Sequence, residues 1–200
     1  MNRSPKEQRQ QERRARILEA ARELFAAEGV AGLSVRAIAK RAGMPAMTLY
    51  GYFPSKTAIV RALWSEAFAP LFVELDAAEA AETEPAARLR KVAQAFVDYW
   101  VRFPDRYKVV FLIEDRRERE DDKWFIEETE IVSELRRFVR LVAALRDPPG
   151  DAADQAREGE ALVCSLIGVA HLLVGMPEYR WSGGEAYVDI ILRAFVEPVR

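Results

Sequence analysis

The stretch "RAGMPAMTLYGYFPSK", residues 41–56, begins and ends on a cation and holds no acidic residue. Its apolar spacing decides the fold. At about 100° per residue, Leu49 and Phe53 share one side of a short helix while Met47 and Gly51 point away from it. Ala46 and Tyr50 lie on one flank, Thr48 and Tyr52 on the other. The inward pair needs a small core, and Leu24, Phe25, Val35 and Ile38 upstream can supply it.

Working outward, Ile17, Leu18, Ala21, Leu24 and Phe25 repeat at helical spacing, with Gly29 as a stop. Ser34 is an N-cap for a second helix that buries Val35, Ile38, Ala39 and Ala42 and ends at Gly43. A third helix is predicted from Pro45 to Phe53. Ser55 caps a long fourth helix with Ile59, Leu63, Phe68, Leu71 and Phe72 inward. Three helices inside 55 residues, the second and third joined at a glycine turn, read as a helix-turn-helix. Further helical stretches are predicted at about 86–102, 105–114, 122–146, 154–175 and 184–197. Pro104, "DPPG" (147–150) and "SGG" (182–184) separate them. No alternating strand pattern of useful length occurs. The expected fold is all-α, about nine helices: residues 1–54 as an N-terminal arm and helix-turn-helix, and residues 55–200 as a larger helical domain for ligand binding and dimerisation.

Charge supports the division. Residues 1–60 carry eleven Lys/Arg against five Glu, whereas residues 61–200 carry 19 basic against 27 acidic residues. A basic N-terminal quarter on an acidic body fits a nucleic-acid-binding module, or simply a solvated basic helix face. Arg9, Arg13, Arg14 and Arg16 read as a mobile, solvated lead-in that adds salt-dependent attraction to phosphates. The single cysteine, Cys164, excludes an internal disulfide and any cysteine-based zinc site. With no leader-like segment and an uncharged apolar run of 16 residues (161–176), short of the roughly 18 that suggest a membrane span, the chain reads as cytoplasmic, associated with the nucleoid and without a membrane.

A major groove admits a helix shaped like residues 45–53. No carboxylate there repels phosphate, Ala46 and Gly51 permit close approach, and tyrosine hydroxyls can donate to phosphate oxygens. The alternative for Tyr50 and Tyr52 is packing in the small core, although Leu49 and Phe53 already fill its side; for Lys56 it is a surface lysine.

The same residues carry a resemblance. "ILEAARELFAAEG", "LSVRAIAKRAG" and above all "TLYGYFPSK" resemble the N-terminal domain of the TetR family of transcriptional regulators, over about 50 residues. The resemblance implies that Tyr50, Tyr52 and Lys56 contact phosphates and that Arg36 reaches a base. It implies too that Ser34, Pro45, Ala46, Met47, Thr48 and Gly51 belong to the DNA-facing surface. Pro45 departs from the usual polar cap, and Ala46 and Met47 from residues that hydrogen-bond, so readout by the third helix is expected to be apolar. Arg36 then carries more of the specificity. The partners implied are double-stranded DNA with a palindromic operator, a second copy of the chain, and a small-molecule effector.

The rest of the chain is less explicit. "ALVCSLIGVAHLLVGM" (161–176) is apolar on all sides and needs cover on all sides. Ala161, Cys164, Ser165, Gly168, Leu172 and Gly175, with Tyr187, Ile191 and Phe195 of the last helix, form the candidate dimer interface; the alternative is the core of a monomer. Trp64, Phe68, Phe96, Tyr99, Trp100, Phe103, Tyr107, Phe111, Trp124, Phe125 and Phe138, with His171, either line a pocket for an apolar or aromatic effector or form a plain core. One His and one Cys leave no catalytic triad or Cys–His pair, and no phosphate-binding glycine loop occurs. The acidic runs "EDRREREDD" (114–122) and "EETE" (127–130) read as solvated faces. No enzyme activity, cofactor or metal is expected. The function expected is a sequence-specific DNA-binding regulator, a repressor released by its effector. The alternative is a constitutive DNA-binding protein whose helical domain docks a protein partner.

Overall fold

The computed structural model describes residues 4–117, 120–128, 131–146 and 150–196. Ten helices and no strand occur among them: α1 (Pro5–Gly32), α2 (Val35–Arg41), α3 (Ala46–Tyr50), α4 (Lys56–Ala80), α5 (Pro85–Arg102), α6 (Pro104–Phe111), α7 (Phe125–Glu128), α8 (Ile131–Ala143), α9 (Ala152–Gly175) and α10 (Gly184–Val196). The all-α expectation holds. The count exceeds nine because the stretch expected as one helix over 122–146 gives α7 and α8. Residues 129–130 between them, residues 118–119 of the first acidic run, and Pro148 and Pro149 of "DPPG" lie outside the described residues.

The described residues of Met1–Ala67 and Lys108–Phe125 form one compact unit; those of Phe68–Tyr107 and Ile126–Arg200 form a second. In the first, α1 buries Ile17, Leu18, Ala20, Ala21, Leu24 and Phe25 against α2, and α2 packs on α3. One expectation for α1 needs correction. Its helix does not begin near Ile17 after a mobile arm. Ser4 accepts a hydrogen bond from the Glu7 amide while the Glu7 carboxylate accepts one from the Ser4 amide, and Pro5 occupies the first turn. This capping box starts the helix twelve residues earlier than the apolar pattern suggests. Gly29 breaks it as expected: its φ 65° and ψ −157° are non-helical, and only residues 30–32 stay helical beyond it. Within the same unit the Trp64 indole donates to the Val109 carbonyl at 2.7 Å and meets the Phe125 ring at 5.0 Å. Arg61 pairs with Asp115 at 3.1 Å and also donates to the Lys123 carbonyl.

In the second unit α9 is the central helix, packed by α5, α8 and α10. Phe96, Trp100, Tyr107 and Phe138 are buried edge to face, with ring centroids 5.6–6.2 Å apart. α8 crosses α9 at Gly159, where an added Cβ would lie 2.5 Å from the Val139 Cα. Only glycine lets the two backbones meet so closely. Arg137, buried on α8, binds Asp76 and Glu79 of α4 and Glu134 of its own helix at 2.6–2.8 Å. Burial by itself would lower its pKa, but hydrogen bonds to Asp76 and Glu134 and their negative charge carry it above the usual guanidinium value. α9 carries the 16-residue apolar run within a longer helix. As a 24-residue helix it is long and apolar enough to cross a membrane, yet only 33% of its apolar window is buried within the chain. A core helix of a soluble protein passes the same test of length and composition. What needs explaining is the apolar face left open.

Candidate nucleic-acid interface

The turn between α2 and α3 is closed by backbone bonds. Ala42 donates to Ile38, Gly43 to Lys40 and Met44 to Ala39, at 2.8–3.2 Å. Gly43 has φ +66°, a left-handed conformation that costs other residues about 1–2 kcal/mol. Its missing Cβ would also stand 2.7 Å from an Arg16 guanidinium nitrogen. Ser34 caps α2 by accepting from the Ala37 amide at 3.2 Å, and Ser55 caps α4 through the Ala58 amide at 3.1 Å. Pro45 starts α3 without any side-chain cap.

α3 itself spans five residues, shorter than expected; a helical turn continues past it because the amides of Tyr52 and Phe53 both donate to the Leu49 carbonyl. Leu49 and Phe53 are buried, worth about 1.5–3 kcal/mol each, and fix the helix on its core. Met47 is 81% exposed, Tyr50 and Gly51 are exposed, and Ala46, Thr48 and Tyr52 stand half-buried on the flanks. Tyr50 and Tyr52 therefore do not fill the core. Arg36 is exposed on α2, and Lys56 is half-buried at the start of α4.

The lead-in arginines, expected to be solvated, contact this surface. Arg13 donates to the Tyr52 hydroxyl at 3.2 Å, and Arg14 to the Tyr52 carbonyl at 2.7 Å. Arg14 also covers the Phe53 ring at 4.2 Å, a cation–π contact. Charges are sorted. Arg22 pairs with Glu19 and Glu66, and Arg41 with Glu23. Among the described residues, Lys6, Arg9, Arg13, Arg14, Arg16, Arg36, Lys40 and Lys56 have no carboxylate within 4.0 Å. The outward face of α3 is thus uncharged, and Arg13 and Arg14 of α1 stand against the turn that follows it. A groove lined by Lys6, Arg9, Gln10 and Arg13 of α1 opens beside Gly51 and Tyr52. Lys6 and Gln10 were not among the expected site residues. Their spacing with Arg9 and Arg13 along one helix face was the available signal, hidden by reading the segment as unfolded.

The family described as "Bacterial regulatory proteins, tetR family" matches residues 17–63. A solved structure described as a regulatory protein, SCO4313, is 25% identical, covering 98% of this chain and 100% of that one at a TM-score of 0.76. The family match takes in α2, α3 and the turn between them. Two further structures share the TetR-type fold. A TetR-like transcriptional regulator from Rhodococcus sp. RHA1 is 22% identical over 92% of this chain and 93% of its own, with a TM-score of 0.66. FadR from Bacillus subtilis, solved in complex with stearoyl-CoA, is 18% identical over 93% of this chain and 99% of its own, with a TM-score of 0.71. No curated protein sequence matches the chain. The matched family model and these three structures are of regulatory proteins.

In this TetR-type chain the candidate pocket residues divide between the two units. Trp64, Phe111, Trp124 and Phe125 belong to the first, where Trp124 is exposed beneath Arg117 at 4.5 Å. The second holds Phe68, Phe96, Tyr99, Trp100, Phe103, Tyr107, Phe138 and His171. Phe68 and Phe103 are half-buried, and the other rings of that group are buried apart from the exposed His171. His171 shares a 3.0 Å hydrogen bond with the Tyr107 hydroxyl, and burial pushes the Tyr107 pKa up to about 12. On α9, Ala161, Cys164, Gly168, Leu172 and Gly175 are exposed and Ser165 is half-buried, forming one uncharged stripe. On α10, Tyr187, Ile191 and Phe195 are half-buried, and Ile190, not among the expected residues, is 60% exposed.

Proposed function

We propose that this TetR-family DNA-binding regulator acts as a homodimeric repressor in the cytoplasm, bound at the nucleoid to a palindromic operator. The observation that carries the reading is the uncharged outward face of α3, with Met47, Tyr50 and Gly51 presented to solvent beside Arg13 and Arg14. In this reading residues 1–54 are the DNA-binding part. Ala46, Met47 and Thr48 approach base edges, Arg36 hydrogen-bonds a base, and Ser34, Pro45, Tyr50, Gly51, Tyr52 and Lys56 lie along the backbone. Residues 55–200 bind the effector and dimerise through the exposed stripe of α9 and the open side of α10. A dimer sets two α3 helices about 34–36 Å apart, one DNA turn. An effector that fits only one arrangement of the helical domain would change that spacing through α4, which starts at Lys56 beside the interface, and lower operator affinity.

The effector is an apolar molecule, met at the half-buried rings Phe68 and Phe103. The stearoyl-CoA bound by FadR of the same fold makes acyl chains the first class to try. Ring-to-ring packing of Phe96, Trp100 and Phe138 favours a second reading, in which the helical domain is filled and docks a protein instead. A chain-length series of acyl-CoA esters separates the two: release of DNA by one length supports the effector. The test of the whole proposal is selection of bound duplexes from a random library, with Tyr50→Ala/Lys56→Ala protein as control. A two-fold symmetric site lost in the control supports it. Binding without sequence preference, retained by the control, sinks it.

A further inference from the structure

Residues 5–16 of α1 precede the family match at 17–63, and the hydrophobic core does not use them: every residue from Ser4 to Arg16 is exposed. The segment is nevertheless helical, held by its capping box. Lys6, Arg9, Gln10 and Arg13 recur at three- and four-residue intervals, so they line one helix face over about 10 Å of axis. That face is one wall of the groove; Gly51 and Tyr52, just past α3, stand on the other side. No carboxylate lines it. Glu7 is turned to the Ser4 amide, which holds its carboxyl below the usual range. Tyr52 is prepared for a further bond. Its oxygen accepts from Arg13 at 3.2 Å, so its own hydrogen is left to donate.

We infer that this groove is an accessory seat for the DNA backbone: Lys6, Arg9 and Arg13 follow successive phosphates of one strand while the Tyr52 hydroxyl donates to the same strand. The inference rests on the reading of the protein as a DNA-binding regulator. A row of three cations about 10 Å long suits a polyanion better than a single anion, because one strand places a phosphate every 3.4 Å or so along the axis. Gly51 matters here for its size; it keeps the floor beside Tyr52 low. The extension thus adds to the footprint of the helix-turn-helix, contributing affinity and positioning without reading sequence.

The test is the salt dependence of binding by the full chain to its selected duplex, followed by fluorescence anisotropy between 50 and 300 mM NaCl, conditions of the titration. Three variants join the wild type: Lys6→Gln/Arg9→Gln, Tyr52→Phe, and Lys91→Gln/Arg136→Gln as a charge control elsewhere. Glutamine is a good helix former, and circular dichroism checks that the helix persists. In Lys6→Gln/Arg9→Gln the slope of log K against log salt should become shallower by about 1.8 per protomer, since each phosphate contact contributes about 0.9. Tyr52→Phe should weaken binding severalfold with the slope unchanged, because a neutral donor releases no counterion. The control should match the wild type. A wild type that binds duplex with the same slope as Lys6→Gln/Arg9→Gln overturns this inference alone. A wild type that binds no duplex overturns the regulator reading as well.

Discussion

Arg36 and Tyr107 illustrate opposite uses of a polar side chain. Arg36 is exposed with no carboxylate beside it, so its five donors are available to a guanine edge. In the proposed interface, Arg36→Ala should relax preference at one base pair of the operator by about 1–3 kcal/mol, leaving binding to other sequences nearly unchanged. Repeating the duplex selection measures it, and uniform weakening on all sequences would make Arg36 a phosphate anchor only. Tyr107 is buried, and its pKa of about 12 lies above the ordinary value of 10.0 because desolvation disfavours the phenolate. The sign of the pH effect follows. Between pH 10 and 12 the unfolded chain has lost this proton and the folded chain keeps it, so stability is intact below 10 and falls as pH rises through that window. Two pH units correspond to about 2–3 kcal/mol. Urea unfolding across the window should be less steeply pH-dependent in Tyr107→Phe than in the wild type.

At the level of helices, close approach decides more than charge. Gly159→Ala gains about 1 kcal/mol of helix propensity, but the new methyl meets the Val139 backbone, which cannot rotate aside. Overpacking of about 1–3 kcal/mol should prevail, giving a net loss of up to about 2 kcal/mol in denaturant unfolding. A more stable variant would mean that α8 shifts freely on α9. The helices themselves were largely legible in the sequence, and so was the turn at Gly43, because a buried Leu49–Phe53 pair and a glycine stop leave few alternatives. The early start of α1 was present as Ser4-x-x-Glu7 with Pro5, but apolar periodicity is silent in a segment with no buried residue. The candidate pocket was not legible. Trp64 and Phe125 meet across 60 positions, and the spacing within each helix carries no information about such a partner. On α10, Glu185, Asp189 and Arg193 mark only the polar side, which left Ile190, Tyr187 and Ile191 undivided among the remaining apolar positions.

For the whole molecule the proposed dimer makes a prediction with a built-in control. Gly168 lies on the exposed stripe of α9, and a Cβ there meets nothing within 4 Å. Gly168→Glu should therefore leave the folded protomer intact while placing two like charges in the apolar interface. Sedimentation equilibrium should show a monomer of near-native helicity that has lost operator binding by 100-fold or more, on the order of 3 kcal/mol. A variant that stays dimeric would move the interface elsewhere. The two compact units can also be followed separately by light. Each holds one buried and one more accessible tryptophan: Trp64 and Trp124 in the first, Trp100 and Trp181 in the second. The buried indoles should emit at short wavelength and resist iodide, and the outer two should emit further to the red and be quenched. Replacing the pair in either unit by phenylalanine would give each half of the protein its own colour, so that melting, or the arrival of DNA or effector, can be watched in one half while the other stays dark.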